Sequence, residues 1–263
     1  MSEMRAELLK VINEYLSLGI DRQLDYGKFY LYSIITHSTA IEGSTVTEIE
    51  NRLLFDEGIS ANKPMAEQLM NLDLKKAYEQ AFVYAEKHER ITVELLCAIS
   101  ALVMRNPGSD YNTLSGSFSS AKGELRLVNV SAGIGGKSYP AWQKIPEKLQ
   151  DFCDWLNEER AKTDSSDIEK IYKLSFEAHY RLASIHPWAD GNGRMSRLVM
   201  NMIQRESNIV PSIVKKESRA AYIQSLAESQ ETENSNKFIN FMFDHHIENL
   251  QQQITEYKNS IAR

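Results

Sequence analysis

The chain has 263 residues, 42% of them hydrophobic and 25% charged, with a formal net charge of −6. That is the composition of an ordinary globular protein large enough to bury a sizeable core, and it excludes a global basic footprint for nucleic acid. The longest apolar run, LLCAISALVM, is shorter than the roughly 20 residues a membrane span requires, so no membrane partner is expected.

The N-terminus carries acidic residues and lacks an unbroken apolar core, so it does not read as a signal peptide. Leu8, Leu9, Ile12, Tyr15 and Leu16 form one apolar stripe of a first helix that ends at Gly19. A second helix is expected from about Asp21 to Glu42, stopped by Gly43. Thr47 with Glu50 fits a capping box that opens a short third helix, and Pro64 begins a long one reaching His88. Thr92 to Arg105 is apolar nearly all round and belongs in the core. The stretch from Asn106 to Pro146 breaks the pattern, holding half of the six prolines and half of the 12 glycines. Within it ELRLVNV sets Leu125, Leu127, Val128 and Val130 among polar neighbours, as a strand does, and GIGGKSYP turns the chain back. This predicts a small hairpin at about 122–140, with a mobile loop as the alternative. Helices resume at Ile145–Arg160, Asp167–Ile185, Gly191–Ser207, Ser218–Ser229 and from about Asn234 onward. Cys97 and Cys153 lie in helical apolar patterns and read as reduced core thiols in a cytoplasmic protein, although sequence alone leaves a disulfide between them open.

The densest chemistry lies in HPWADGNGRMSR, His186 to Arg197. Pro187 forces the preceding helix to finish by His186, which leaves that imidazole at the mouth of a loop. Gly191-Asn192-Gly193 frees the backbone to turn its N–H groups inward as an anion nest, and the next helix begins with its positive end facing the same point. Arg194 and Arg197, three apart, share one side of that helix and complete a polyphosphate seat. Asp190 would repel phosphate unless Mg²⁺ lay between them. His186 is then the acid–base group beside the transferred phosphorus. The residues themselves thus point to nucleotide-dependent transfer, against a plain helix–loop–helix turn with solvated arginines.

This stretch resembles the signature of the Fic/DOC family: a histidine, an acid four residues on, Gly-Asn-Gly-Arg and a second arginine. The one departure is Trp188, where the family usually has phenylalanine packed beneath the loop. The resemblance implies an all-α, Fic-type helical bundle with a small β-hairpin flap and extra N-terminal helices. It divides the chain into an N-terminal region at 1–91, a catalytic core at 92–245 and a C-terminal helix extension at 246–263. It implies AMP transfer from ATP to a Tyr, Ser or Thr hydroxyl of a target protein, releasing pyrophosphate. His186 would take the hydroxyl proton, and Asp190 would hold Mg²⁺, with Mn²⁺ as the alternative ion. Gly191, Asn192 and Gly193 would bind the α- and β-phosphates, while Arg194 and Arg197 would grip the outer ones. The flap would dock an unidentified target as an added strand, with Ala132 and Gly133 near the nucleotide. Tyr222 and Gln230 align with positions that border the nucleoside, although Tyr222 reads equally well as a core aromatic.

Beside that signature, HSTAIEGS resembles the family's inhibitory helix motif at 38–43, with Ser38, Glu42 and Gly43 as its fixed positions. A carboxylate at a helix C-terminus gains from a cationic partner, and Arg197 could offer it two parallel hydrogen bonds. Arg197 so engaged would not reach the γ-phosphate, which implies self-inhibition in cis. The alternatives are a deAMPylase or another phosphate-group transferase on the same fold, or a catalytically silent nucleotide-binding interaction module. A homo-oligomer is compatible with all of them. His37, His179, His245 and His246 have no companions at zinc spacing and read as packed or surface histidines.

Overall fold

The computed structural model describes residues 2–132 and 137–262. Among them ten helices run in the order α1 (Ser2–Ser17), α2 (Tyr26–Ile41), α3 (Glu48–Asp56), α4 (Met65–Glu86), α5 (Val93–Val103), α6 (Ile145–Lys162), α7 (Ile168–Ile185), α8 (Asn192–Glu206), α9 (Arg219–Glu231) and α10 (Asn236–Ile261). One two-stranded antiparallel sheet, β1 (Asp110–Thr113) and β2 (Gly116–Ser119), lies between α5 and α6.

The expected helices are present with their termini moved by a few residues. Only the second starts late: a single 3₁₀ turn occupies Ile20–Arg22, and Asp25, at φ 58°, resets the chain before α2. Both halves of the capping box at Thr47 form, with Thr47 Oγ1 accepting from Glu50 N–H and Glu50 accepting from Thr47 N–H.

The larger difference concerns the strands. Leu125 to Val130 is not a strand, because Arg126 points inward and is fully buried while Leu127 stays half-exposed, the reverse of the expected alternation. The regular sheet stands earlier, at β1 and β2, where Tyr111 stacks on Phe118 with ring centroids 4.8 Å apart and Leu114–Ser115 makes the turn. The flap survives as a minimal second hairpin: Ala132 N–H donates to Lys137 O, Tyr139 N–H donates to Val130 O, and Ser131 bridges Ser138.

α8 is the axis of the molecule, packed between α7 and α4 and buried along most of its length. Asn201 and Gln204 are buried with it and paired there. Tyr78 donates to Asn201 Oδ1, Asn201 Nδ2 to Ser212 O, and Gln204 Nε2 to Ser175 Oγ. One hydrophobic core runs without a break from Leu8 to Ile254, and α1 packs against α10. The N-terminal region therefore shares its core with the rest of the chain, and position 245/246 falls inside the continuous helix α10. None of the described helices is long and apolar enough to cross a membrane.

Candidate active site

The loop between α7 and α8 is shaped by side chains that bind backbone. Trp188 is fully buried, and its Nε1–H donates to Gly123 O at 3.0 Å, anchoring the loop to the chain after β2. The Asn192 amide clamps the Trp188 peptide from both sides, accepting its N–H at 3.1 Å and donating to its carbonyl at 2.9 Å. The Asn192 side chain is thus engaged in holding the bend, and the backbone N–H groups at the start of α8 are what the loop offers to an anion. Gly191 has φ 82°, where a side chain would be strained and its Cβ would meet Met104 Sδ at 2.6 Å.

The two arginines are in opposite states. Arg194 is buried, and its Nε and Nη1 have no hydrogen-bond partner among the described residues; only Nη2 has a charged neighbour, Asp190 Oδ1 at 3.6 Å. Arg197 is equally buried but fully occupied. Its Nε donates to Ser38 Oγ at 2.9 Å, and its Nη2 donates to Ser38 O at 3.0 Å and to Glu42 Oε1 at 2.6 Å. Arg197 therefore gives Glu42 one bond rather than the expected parallel pair, and its remaining reach goes to Ser38.

Burial opposes ionisation of Glu42, yet Arg197 overcomes it and holds the carboxyl below its usual range. The carboxylate also leans over the loop: a Cβ on Gly193 would stand 2.7 Å from Glu42 Oε1 and would push the carboxylate from this pose. Arg219 Nε donates to Ile41 O at 2.7 Å, setting a further cation at the C-terminal end of α2.

His186 takes a left-handed backbone at φ 52°, ψ 59°, a conformation costing a non-glycine residue about 1–2 kcal/mol. Its N–H still closes α7 on Leu182 O. The ring lies flat against Tyr139, centroids 3.9 Å apart and planes 18° apart. Burial, with the Arg126 charge added, lowers the imidazole to about 4 against the opposing pull of the Ala183 carbonyl, Asp190 and Glu42. It is neutral at physiological pH and able to accept a proton.

Asp190 is half-exposed at the loop mouth, with Oδ1 accepting from Gly191 N–H. Among the described residues no three His, Cys, Asp or Glu side chains converge as an all-protein metal cage. A lone carboxylate beside an anion loop suits Mg²⁺, which binds through one or two carboxylates together with phosphate oxygens.

The remaining expected residues scatter. Tyr222 is buried beneath Arg197, its hydroxyl 2.8 Å from His179 Nε2 and 3.4 Å from Arg197 Nη1. Gln230 lines a cavity of about 390 Å³ with Lys137, Tyr139, Pro140, Tyr180 and Ser184, and donates to Ser184 Oγ at 3.1 Å. Ala132 is exposed at the flap, and Gly133 lies outside the described residues. His245 Nε2 accepts from Lys215 N–H, His246 is buried in the core, and both cysteines are free thiols. Three residues at the site carried no motif: Arg126, Tyr139 and His179. The signal for Arg126 was a lone cation inside an otherwise apolar run.

A sequence model described as the Fic/DOC family matches residues 90–204. The protein adenylyltransferase fic-1 of Caenorhabditis elegans is 27% identical over 235 residues, covering 88% of this chain and 42% of the relative. The protein adenylyltransferase Fic of Drosophila willistoni is 29% identical over 213 residues, covering 80% and 39%. The chain thus spans about two fifths of the length of these curated relatives. A Fic-domain-containing signalling protein from Bacteroides thetaiotaomicron superposes with a TM-score of 0.77 at 20% identity, covering 96% of this chain and 98% of its own. A fragment of C. elegans Fic-1 superposes with a TM-score of 0.75 at 23% identity, covering 98% and 74%. The fold is the Fic fold, and the chain carries a Fic/DOC family domain over residues 90–204.

Proposed function

We propose that the chain is a self-inhibited protein adenylyltransferase that moves AMP from ATP to a hydroxyl of a target protein. The observation carrying this reading is Arg194, a buried guanidinium with two nitrogens unpartnered among the described residues, beside the N-terminus of α8. A buried cation left unsatisfied is costly, and a phosphate at the loop would complete it. The relatives named protein adenylyltransferase support the same chemistry.

In this reading the nucleotide phosphates sit on the α8 N-terminus and Arg194, and Asp190 would hold Mg²⁺, or Mn²⁺ in its place, which would screen phosphate charge. Neutral His186 accepts the proton of the target hydroxyl as that oxygen bonds to the α-phosphorus. The bond from that phosphorus to the bridging oxygen breaks, and pyrophosphate leaves with its electron pair. The flap hairpin at 130–139 docks the target chain, and the setting is cytoplasmic.

Self-inhibition rests on the Glu42 carboxylate, which both holds Arg197 and hangs over Gly193. ATP can bind while Arg197 is so held, but its γ-phosphate lacks that arginine. Glu42→Gly should raise transfer of label from α-labelled ATP to protein at least tenfold, and His186→Ala placed on top should abolish it. Equal labelling by wild type and Glu42→Gly at saturating ATP would overturn the inhibitory assignment. No labelling by either, with ATP bound, would overturn the enzyme.

A further inference from the structure

We propose that Tyr139 and Arg126 form one positioning unit that holds the His186 imidazole from the flap side, so that the seating of the flap sets the orientation of the base. The inference rests on the reading of His186 as the proton acceptor and adds residues that no motif assigns.

The geometry is a bracket. Tyr139 covers one face of the imidazole at 3.9 Å between centroids and 18° between planes. Arg126, fully buried, donates from Nε to His186 O at 2.8 Å, from Nη1 to Val128 O at 2.7 Å and from Nη2 to Pro140 O at 2.7 Å. Its own N–H donates to Pro187 O at 3.1 Å. One guanidinium thus ties the carbonyl of the base to a carbonyl on each arm of the flap. A lysine ammonium, a single point of charge, could not span three such acceptors with this planar fork. Pro140 directly follows Tyr139, so the bond that fixes the flap backbone also fixes the ring resting on His186. The hairpin bond from Tyr139 N–H to Val130 O closes the bracket.

Elsewhere the imidazole is hydrogen-bonded to the Ala183 carbonyl of α7 and feels the charges of Asp190 on its own loop and Glu42 just past α2. The stack on Tyr139 is the ring contact to this imidazole among the described residues, and a flat neighbour at 3.9 Å resists tilting of the ring out of its plane. Tyr139 also lines the cavity beside the flap and separates the imidazole from it. A peptide that adds itself to the flap would therefore press on the same residue that aims the base.

Tyr139 is half-exposed, so replacing it need not unfold the protein. The test uses the full chain, with and without Glu42→Gly, as wild type at position 139 and as Tyr139→Ala and Tyr139→Phe. In proton NMR, Tyr139→Ala should move the His186 ring-proton resonances downfield by removing the ring current, and should raise the His186 pKa from about 4 toward 6.5. Tyr139→Phe keeps the ring and should leave both as in wild type. In the Glu42→Gly background, Tyr139→Ala should lower kcat about 10- to 100-fold with KM for ATP within about twofold, and Tyr139→Phe should restore kcat. Unmoved His186 resonances and pKa in Tyr139→Ala would overturn the proposal, as would a Tyr139→Phe variant as impaired as Tyr139→Ala. Absence of transfer in every variant, Glu42→Gly included, would sink the adenylyltransferase reading instead, and the resonances would still decide the positioning unit.

Discussion

Arg194 and Arg197 lie three residues apart on one helix, equally buried, and differ only in what faces them. Arg194 has two nitrogens unpartnered among the described residues, whereas every nitrogen of Arg197 has an acceptor. Behind Arg197 the chain of donors is ordered. Burial, with Arg197 adding to it, lowers His179 to about 3, so its neutral Nε2 accepts the Tyr222 hydroxyl proton and leaves the Tyr222 oxygen free to accept from Arg197. Ser38 is the residue that aims this arginine at Glu42, because it supplies two of the bonds. Ser38→Ala removes the acceptor of Nε and keeps the carbonyl, leaving one buried charged nitrogen unpaired at a cost of about 1–3 kcal/mol. The variant should be measurably less stable to urea and should label target more than wild type but less than Glu42→Gly. If urea stability falls while labelling stays at the wild-type level, Ser38 serves the fold and not the inhibition.

The end of α2 that carries Glu42 is held as an element as well as by its last side chains. Asn71 on α4 accepts from Thr39 Oγ1 and Asn51 Nδ2 and donates to Ser44 Oγ and Glu67 O, so one buried amide joins α2, α3, α4 and the turn after Gly43. Asn71→Leu keeps the volume but takes one hydrogen bond from each of these four groups, which should cost about 2 kcal/mol or more. Loosening α2 without touching Glu42 should raise AMP transfer while lowering the thermal midpoint; a less stable variant with no gain in transfer would place the restraint in the Glu42–Arg197 pair alone. The elements themselves were legible wherever local chemistry decides them. Thr47 with Glu50 announced α3, Gly19 the end of α1, and the His186–Arg197 signature the loop between α7 and α8. What escaped was decided across the chain. Leu125 to Val130 has strand periodicity, but Arg126 turns inward because the His186, Val128 and Pro140 carbonyls await it there. β1 and β2 carry no Asn-Gly or Asp-Gly turn to mark them; the Tyr111–Phe118 stack and the Ser117–Asn112 hydrogen bond hold the pair together. Tyr222 fits the nucleoside border and the core equally well by sequence, and its place under Arg197 depends on His179, 43 residues earlier on α7.

At the scale of the whole molecule, one uninterrupted core places histidines where no charge is welcome. Burial lowers His179 to about 3, with Arg197 adding to it, and lowers His246 to about 3, with His245 adding to it. His245 falls to about 4 through burial and through Lys215 and His37, against the Ile213 carbonyl. All three folded values lie below the ordinary 6.5. As pH falls through that value the unfolded chain takes up protons that the folded chain refuses. Stability is therefore fully present above about pH 6.5 and declines below it, by up to about 1.4 kcal/mol per pH unit for each histidine. Between about pH 6.5 and 5 most carboxylates are still ionised, so this window isolates the imidazoles. The thermal midpoint should drop steeply across it. His246 makes the decisive comparison, because neither of its ring nitrogens has a hydrogen-bond partner among the described residues. His246→Leu removes the titrating group without breaking a bond, and should flatten the decline and raise the midpoint at pH 5.5 above that of wild type. An equally steep decline in both proteins would remove His246 from the groups that set the acid sensitivity.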